Sequence, residues 1–494
     1  TASGDSSHSE GANTTASGDQ SHAEGNSTKA IGNRSHAEGE GTDNILVLLS
    51  EFVNEKPDID GRTGMVCTEA SGRAAHAEGS ATIASGICSH SEGAGTQAVG
   101  NGSHAEGVGT KAVGIASHAE GDPTLALGNY SHAEGSNTTA SGEASHAEGA
   151  NTTASGSDAH SEGFNTTASG AVSHAEGVST TASGLFSHAE GVQTIASDQQ
   201  SHAEGFSTTS SGDSSHSEGA NTTASGDQSH TEGNSTIASG PTAHAEGAIT
   251  IASGTNSHAE GTQTTASGTN SHAEGNSTIA SDLQSHAEGF NTTASGDSSH
   301  SEGANTTASG DQSHAEGNST IASANLSNAK GFYSLAFLNS SMAHCGGTLS
   351  DTADGSCQYM RFVVRGQTTS VSNSINLIID AATVIALLDN TAYYCRVEGL
   401  GIESGAISGD ISGFSIHSII RNVVASMTIV NQTFDYSYTS YSGGITNTGV
   451  LDADGVKIVL SATSNQLLIN VQSGGNITDT INWCATVSLT STVP

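Results

Sequence analysis

The sequence predicts an all-β fold: a parallel β-solenoid shaft followed by a C-terminal β-sandwich or jelly-roll-like domain. Two observations predict it. A unit of fourteen residues, Ser-His-Ala-Glu-Gly-x-x-Thr-x-Ala-Ser-Gly-x-x, recurs with one interruption from the first residue to about residue 324, and such repetition is the signature of stacked architectures. Past Cys345 the period stops, and runs of Ile, Val, Tyr and Phe alternate with Gly, Asn, Ser and Asp, the pattern of short strands joined by turns.

Composition narrows the function classes. The 494 residues hold 62 Gly, four Pro and only 4% aromatic residues, so burial has to come from small side chains in a regular lattice. Low hydrophobicity with a formal net charge of -38 would ordinarily mark a disordered chain, but strict periodicity overrides that expectation. Twelve Lys and Arg against fifty Asp and Glu leave no basic patch, so nucleic acid and anionic membrane are not expected partners. The longest apolar run, Ile45 to Leu49, is too short to span a bilayer. The chain opens in mid-repeat without an initiator Met, as expected of a processed or trimmed terminus. Six Cys, at 67, 88, 345, 357, 395 and 484, lack CxxC spacing; disulfides are open to the last four, with a pairing that spacing does not determine.

The repeat itself is read as follows. His holds the second position at 8, 22 and 36, then at 76 and every fourteenth residue to 314, giving 21 motifs, each with Glu two residues on and Gly after it. The unit divides into two sevens of the form (Ser/Thr)-x-Ala-x-Gly-x-x, each expected to be a five-residue strand and a short turn. Alternation along a strand turns Ser or Thr, Ala and Gly to one face and His and Glu to the other. Only the small set fits inside so narrow a coil. Gly is expected where the turn needs positive φ or close backbone approach, and Asp198 and Asp282, which replace the second Gly, are expected there because Asp tolerates left-handed geometry. One unit is then one rung of a parallel solenoid, and about 23 rungs at the strand spacing give a rod of roughly 110 Å. An interior of methyl and hydroxyl groups is thin, so lateral association is expected.

The half-repeat (Ser/Thr)-x-Ala-x-Gly, as in Ser21-His22-Ala23-Glu24-Gly25 and Thr28-Lys29-Ala30-Ile31-Gly32, resembles the head repeat of trimeric autotransporter adhesins, the YadA-like heads. The resemblance covers about residues 1–340 and implies a left-handed β-roll packed as a homotrimer, with the second and fourth strand positions facing the trimer axis. The family places Val and Ile there. This chain places His and Glu there, which makes the implied interface polar.

The candidate site residues are accordingly a structural ladder: His8, Glu10, His22, Glu24, His36, Glu38, His76, Glu78, His104, Glu106, His202, Glu204, His314 and Glu316 stand for all the motifs. Three readings of it are open. A hydrogen-bonded ladder at a chain interface follows the rule that buried polar groups come satisfied. A solvated stripe is the second, and metal binding the third, which would need three or four convergent ligands. No metal or cofactor is expected, and uniform repetition argues against a catalytic dyad, which needs one distinctive environment. At Asn328 and Lys330 His and Glu are lost together, as a coupled pair predicts.

Residues 1–28 recur identically as 293–320, so the shaft grew by copying blocks of rungs, as suits a spacer. The expected organisation is β-roll repeats over 1–42, an insertion over 43–67 forming a helix or hairpin, repeats again over 68–324, an apolar cap or neck over 325–344 carrying Phe332, Tyr333, Leu335, Phe337 and Leu338, and a β-rich tip over 345–494. Strands are expected at 360–364, 375–379, 393–398, 456–461, 466–471 and 481–487. Tyr436, Tyr438 and Tyr441 are candidates for a glycan surface, since aromatic faces stack on sugars, and His417 reads as a structural strand residue. The expected function is a structural extracellular fibre or adhesin, self-associated as a homotrimer, displaying its tip to a surface glycan or protein receptor from a cell, spore or virion surface. A phage tail fibre and a head-to-tail filament are alternatives. A polysaccharide-degrading spike is the remaining one, and fourteen-residue rungs are too small to offer its cleft.

Overall fold

The computed structural model describes residues 1–41, 67–346, 357–368, 374–379, 385–387, 391–404, 411–423, 426–439, 457–463, 466–472 and 480–492. Every regular element among them is a strand. The insertion falls almost wholly outside the described residues. The chain divides into two units, Thr1–Ala243 and His244–Pro494, with some 22 solenoid turns in all.

In the first unit each turn joins a strand of four or five residues beginning at His, such as His22–Asn26, to a strand of two or three residues, such as Thr28–Ala30, that ends at Ala or, once, at Ser210. The halves are therefore unequal, contrary to the two matching strands expected. The reason lies after the second Ala, where two successive amides, Ser85 and Gly86, share the Ala98 carbonyl at 2.9 and 3.4 Å and the strand bends into the turn. Both strand types stack in parallel on their equivalents: His104 on His118, Ala105 on Ala119, Glu106 on Glu120 and Gly107 on Gly121, with Ala112 on Ala126. The lattice also closes across the insertion, since Thr28 pairs with Thr68 and His36 with His76.

The interior is as small as expected. Ala105 and Ala112, with Ser103 and Thr110 beside them, are buried. Serine closes the turn before its strand: Ser103 Oγ donates to the Gly100 carbonyl at 2.7 Å. Where Ala75 stands instead, the backbone bond from its N–H to the Gly72 carbonyl remains, so this substitution is cheap. Threonine hydroxyls are satisfied selectively. In the rungs that read His-Ser-Glu-Gly, Ser91 meets Thr96 at 2.7 Å and Ser161 meets Thr166 at 2.8 Å, whereas Thr110 Oγ1, opposite Ala105, has no partner.

Both glycines are required by close approach, and only one by φ. Gly149, after Glu, has φ 108°, and a Cβ there would lie 2.1 Å from the Gly163 carbonyl oxygen. Gly142, after Ser, is not left-handed, yet its Cβ would come within 1.8 Å of the Gly156 oxygen. Asp198 and Asp282 are likewise absent from the left-handed region, so conformational tolerance does not account for them. The left-handed residues fall two positions later, every seventh residue: Asn137, Ala144, Asn151, Asp158, Asn165 and Val172 have φ of 53–57°. Such a φ is costly for Ala and more so for β-branched Val. An inter-rung hydrogen bond offsets it each time, as from Val172 N–H to the Ser157 carbonyl at 2.8 Å.

The second unit begins with seven turns of the same kind and ends them in a distinctive way. Asn328–Phe332 and Met342–Gly346 continue the parallel stack, and Met342–Gly346 then pairs antiparallel with Cys357–Thr368. The exposed edge of the solenoid is thereby covered by a strand of the next domain, which removes an open pairing template. Gln358 completes the seal. Its side chain accepts from the Leu335 N–H at 2.8 Å and donates to the Leu335 carbonyl at 3.0 Å, substituting for the backbone of a further rung.

Cys357–Thr368 leads an antiparallel sheet in the order Cys357–Thr368, Thr480–Thr492, Thr391–Ser404, Ile411–Val423, Ser426–Thr439. A second sheet places Gln466–Gln472 between Lys457–Thr463 on one side and the short strands Ser374–Asn376 and Ile385–Ala386 on the other. Met360, Phe362, Val364, Val487 and Trp483 of the first sheet share one core with Leu460, Leu467, Ile469 and Val471 of the second, the sandwich arrangement. The six expected strands are present, five of them longer than expected, whereas the one expected at 375–379 covers only Ser374–Asn376; Ile411–Val423 and Ser426–Thr439 add two that the sequence does not single out. In the neck, Leu338 is buried in this core and Phe337 packs against it, while Phe332 is exposed. Cys67, Cys88, Cys395 and Cys484 carry free thiols, and burial pushes that of Cys395 up to about 12.

Two substitutions test this packing. Gly142→Ala places its Cβ against the next rung's backbone and should cost roughly 1–3 kcal/mol or more in a melting experiment. Ala105→Ser gives the unpartnered Thr110 hydroxyl the bond that Ser91 gives Thr96, and should raise stability by about 1 kcal/mol.

Candidate functional site

The alternation that buries Ala105 turns His104 and Glu106 outward on the same strand, and in-register stacking turns each kind into a column. Imidazole rings lie 4.7–4.9 Å apart from His36 to His216 and nearly parallel through most of that run, for example 3° between His36 and His76 and 4° between His90 and His104. Within each rung Nε2 faces the Glu carboxylate: 3.5 Å for His8–Glu10, 3.6 Å for His22–Glu24, 3.7 Å for His36–Glu38, 3.8 Å for His76–Glu78, 4.0 Å for His104–Glu106, 3.9 Å for His202–Glu204 and 3.7 Å for His314–Glu316. The structure thus brings the fourteen named ladder residues together as seven His–Glu neighbours within one chain. The typical pair is half-open, with about 36% of the His side chain and 45% of the Glu side chain exposed at His174–Glu176.

These separations are too long for hydrogen bonds. From His76 to His216, Nε2 is shut off from solvent and has no hydrogen-bond partner among the described residues. The electrostatics follow. The imidazoles of His104, His146 and His174 are held below the ordinary 6.5, first by desolvation and then by the neighbouring His above, against the opposing pull of their Glu neighbours. Glutamates stand on glutamates, Glu106 on Glu120 and Glu134 on Glu148, and like charges opposite one another are destabilising. The paired loss at Asn328 and Lys330 relieves this at the column's end. Lys330 Nζ meets Glu316 at 2.9 Å and holds that carboxylate below its ordinary value. Lys330 was not singled out as a column cap, although its position in the repeat carries that information.

The outward position that follows Gly on the same strand is also informative. In four consecutive rungs it holds Phe164, Val178, Val192 and Phe206, stacked on one another and 52%, 43%, 38% and 50% exposed. A contiguous apolar column beside a polar one is a contact feature. On the C-terminal sheet, Tyr436 and Tyr438 lie in the strand Ser426–Thr439, with backbone partners Phe414 and Ser412; Tyr441 is outside the described residues. His417 bonds Tyr394 Oη at 2.8 Å and Ser415 Oγ at 3.1 Å, as suits a structural residue. Among the described residues no helix is long and apolar enough to cross a membrane.

A narrow solenoid of fourteen-residue turns bearing a uniform outward ladder defines a repeat protein. Comparison places the repeats. The YadA head domain repeat matches residues 9–35, 133–159, 259–281, 287–313 and 301–323, so these segments of the solenoid are similar to YadA-like head repeats. That family is a structural, surface-exposed adhesin family. No curated protein matches the chain. Among solved structures, the tailspike protein of Acinetobacter baumannii phage AM24 is similar at 8% identity and a TM-score of 0.16, over 95% of this chain and 73% of that one, a likeness too low to bear on fold or function.

The sign of the pH response is determined by the lowered imidazole values. Between the folded-state value and 6.5, the ordinary value, the unfolded chain binds more protons. The column's contribution is therefore complete above 6.5 and lost as pH falls through the folded-state values. Melting temperatures measured from about pH 8 to about pH 4 should be level down to roughly 6.5 and decline below it; a rise on acidification would contradict this geometry.

Proposed function

We propose that the chain is an extracellular attachment fibre without catalytic activity, whose repeats pack as a homotrimeric shaft and whose C-terminal sandwich is the tip. The observation that carries this reading is the outward face of the five-residue strands. It presents a flat His and Glu ladder with Phe164, Val178, Val192 and Phe206 alongside, on a solenoid whose own interior is Ala, Ser and Thr. A core of so few methyl groups gains little by burial, and adhesins of the YadA type are homotrimers. Trimer formation would cover the apolar column and the exposed part of each His and Glu pair. The segment 325–344 then serves as the neck.

Besides Tyr436 and Tyr438, the sandwich offers a second pair of tyrosines. Tyr359 and Tyr394 are 45% and 47% exposed and flank Thr490 in adjacent strands. Exposed phenol faces at this spacing suit stacking on sugar rings.

Sedimentation equilibrium of the purified chain should return three times the 49.1 kDa monomer mass, and Phe164→Ser with Phe206→Ser should weaken the assembly; a monomer at micromolar concentration would exclude the trimeric shaft. Glycan-array binding by the full chain, reduced at least tenfold by Tyr359→Ala with Tyr394→Ala, would support the tip reading. Binding unchanged in that variant would place the receptor surface elsewhere.

A further inference from the structure

The His and Glu columns also meet within a single chain in a way that the trimeric reading does not use. One nitrogen or oxygen from each of His76, Glu78 and His90 lies within 4.8 Å of the others, and the same holds for His104, Glu106 and His118 and for His132, Glu134 and His146. We propose that these His-Glu-His steps bind first-row divalent cations such as Zn2+ or Ni2+, at up to one ion for every two rungs.

Three features of the column support this. The first is the donor set: two imidazole nitrogens and a carboxylate oxygen are the ligands such cations prefer. The second is the Nε2 atom, which is shut off from solvent and without a hydrogen-bond partner in eleven consecutive rungs from His76 to His216. Water does not reach it, and a partner chain's side chain is larger still. A bare cation is smaller, and its entry between imidazole and carboxylate would satisfy the nitrogen. Tetrahedral bonds of about 2.0–2.2 Å require the donor atoms to close by up to about 1.5 Å, with the two stacked imidazoles tilting so that their in-plane lone pairs converge, a movement within reach of half-exposed side chains. The third is charge. Glutamates stacked on glutamates repel, and Lys330 at the end of the column already shows that a cation is accepted against Glu316, at 2.9 Å.

The stoichiometry follows from sharing. His90 belongs both to the step with His76 and to the step with His104, and it can serve one ion at a time through a given nitrogen. Occupied steps therefore alternate, and neighbouring ions stand two rungs apart, about 10 Å by the strand spacing.

The test is calorimetric titration of the full chain with Zn2+ at neutral pH, with Co2+ as a visible reporter of nitrogen and oxygen ligation. The expected result is several ions per chain and a raised melting temperature. Glu78→Gln, Glu92→Gln, Glu106→Gln, Glu120→Gln, Glu134→Gln and Glu148→Gln combined remove six consecutive steps, so that ions cannot move to the neighbouring ones, and should remove about three ions by the sharing rule. A second variant, His90→Asn with His118→Asn and His146→Asn, should do the same, and Asn328 shows that the lattice accepts Asn at this position. Melting of both variants without metal confirms that they fold. Saturable uptake unchanged in both variants, uptake that disappears when Cys67, Cys88, Cys395 and Cys484 are changed to Ser, or no uptake would each overturn the proposal.

Discussion

The parallel hydrogen-bond ladder between rungs sets every residue directly against its own equivalent fourteen residues on, about 4.8 Å away, and the rest of the shaft answers to that constraint. An interior column of identical residues has to be small, which is why Ala stacks on Ala with Ser and Thr beside it. A backbone passing this close to its copy leaves no room for a Cβ at either Gly, as the approaches at Gly142 and Gly149 show. Turn residues accept a left-handed φ because the same ladder supplies each of their N–H groups with a carbonyl on the previous rung. Outward columns follow the same rule, and there it has an electrostatic price: His lies on His, and Glu on Glu.

Such a lattice has no internal reason to stop. It ends where side chains cease to suit the rung. Phe337 and Leu338 turn toward the sandwich core, Met342–Gly346 pairs with an antiparallel partner, and Gln358 bonds the backbone of Leu335. The C-terminal sandwich thus contributes to the stability of the turns it covers. Lys330, in the last rungs, does for the charge column what Gln358, on the covering strand, does for the hydrogen-bond ladder.

Periodicity carries most of what is legible in the sequence: rung length, inward Ala, and outward His and Glu. The aperiodic C-terminal strands are legible only in part, since Ile411–Val423 and Ser426–Thr439 do not stand out from their neighbours. Less is legible where a residue's role depends on what lies one rung away. Gly142 was read through φ as much as contact, and Asp198 through left-handed tolerance, because a single repeat does not display the backbone approaching from the next. The exposed column of Phe164, Val178, Val192 and Phe206 was overlooked because those residues occupy a variable position, and only stacking makes them contiguous.

By itself the sequence determined the rung: a fourteen-residue period admits a narrow solenoid with small residues inside, since no other arrangement hides so few methyl groups so regularly. The tertiary structure decided what the rungs make together. Imidazoles stack a ring's thickness and a little more apart, with Nε2 enclosed and facing a carboxylate too distant to bond. That geometry arises between turns, from the ladder spacing and side-chain orientation acting at once, and neither quantity is written in any one repeat.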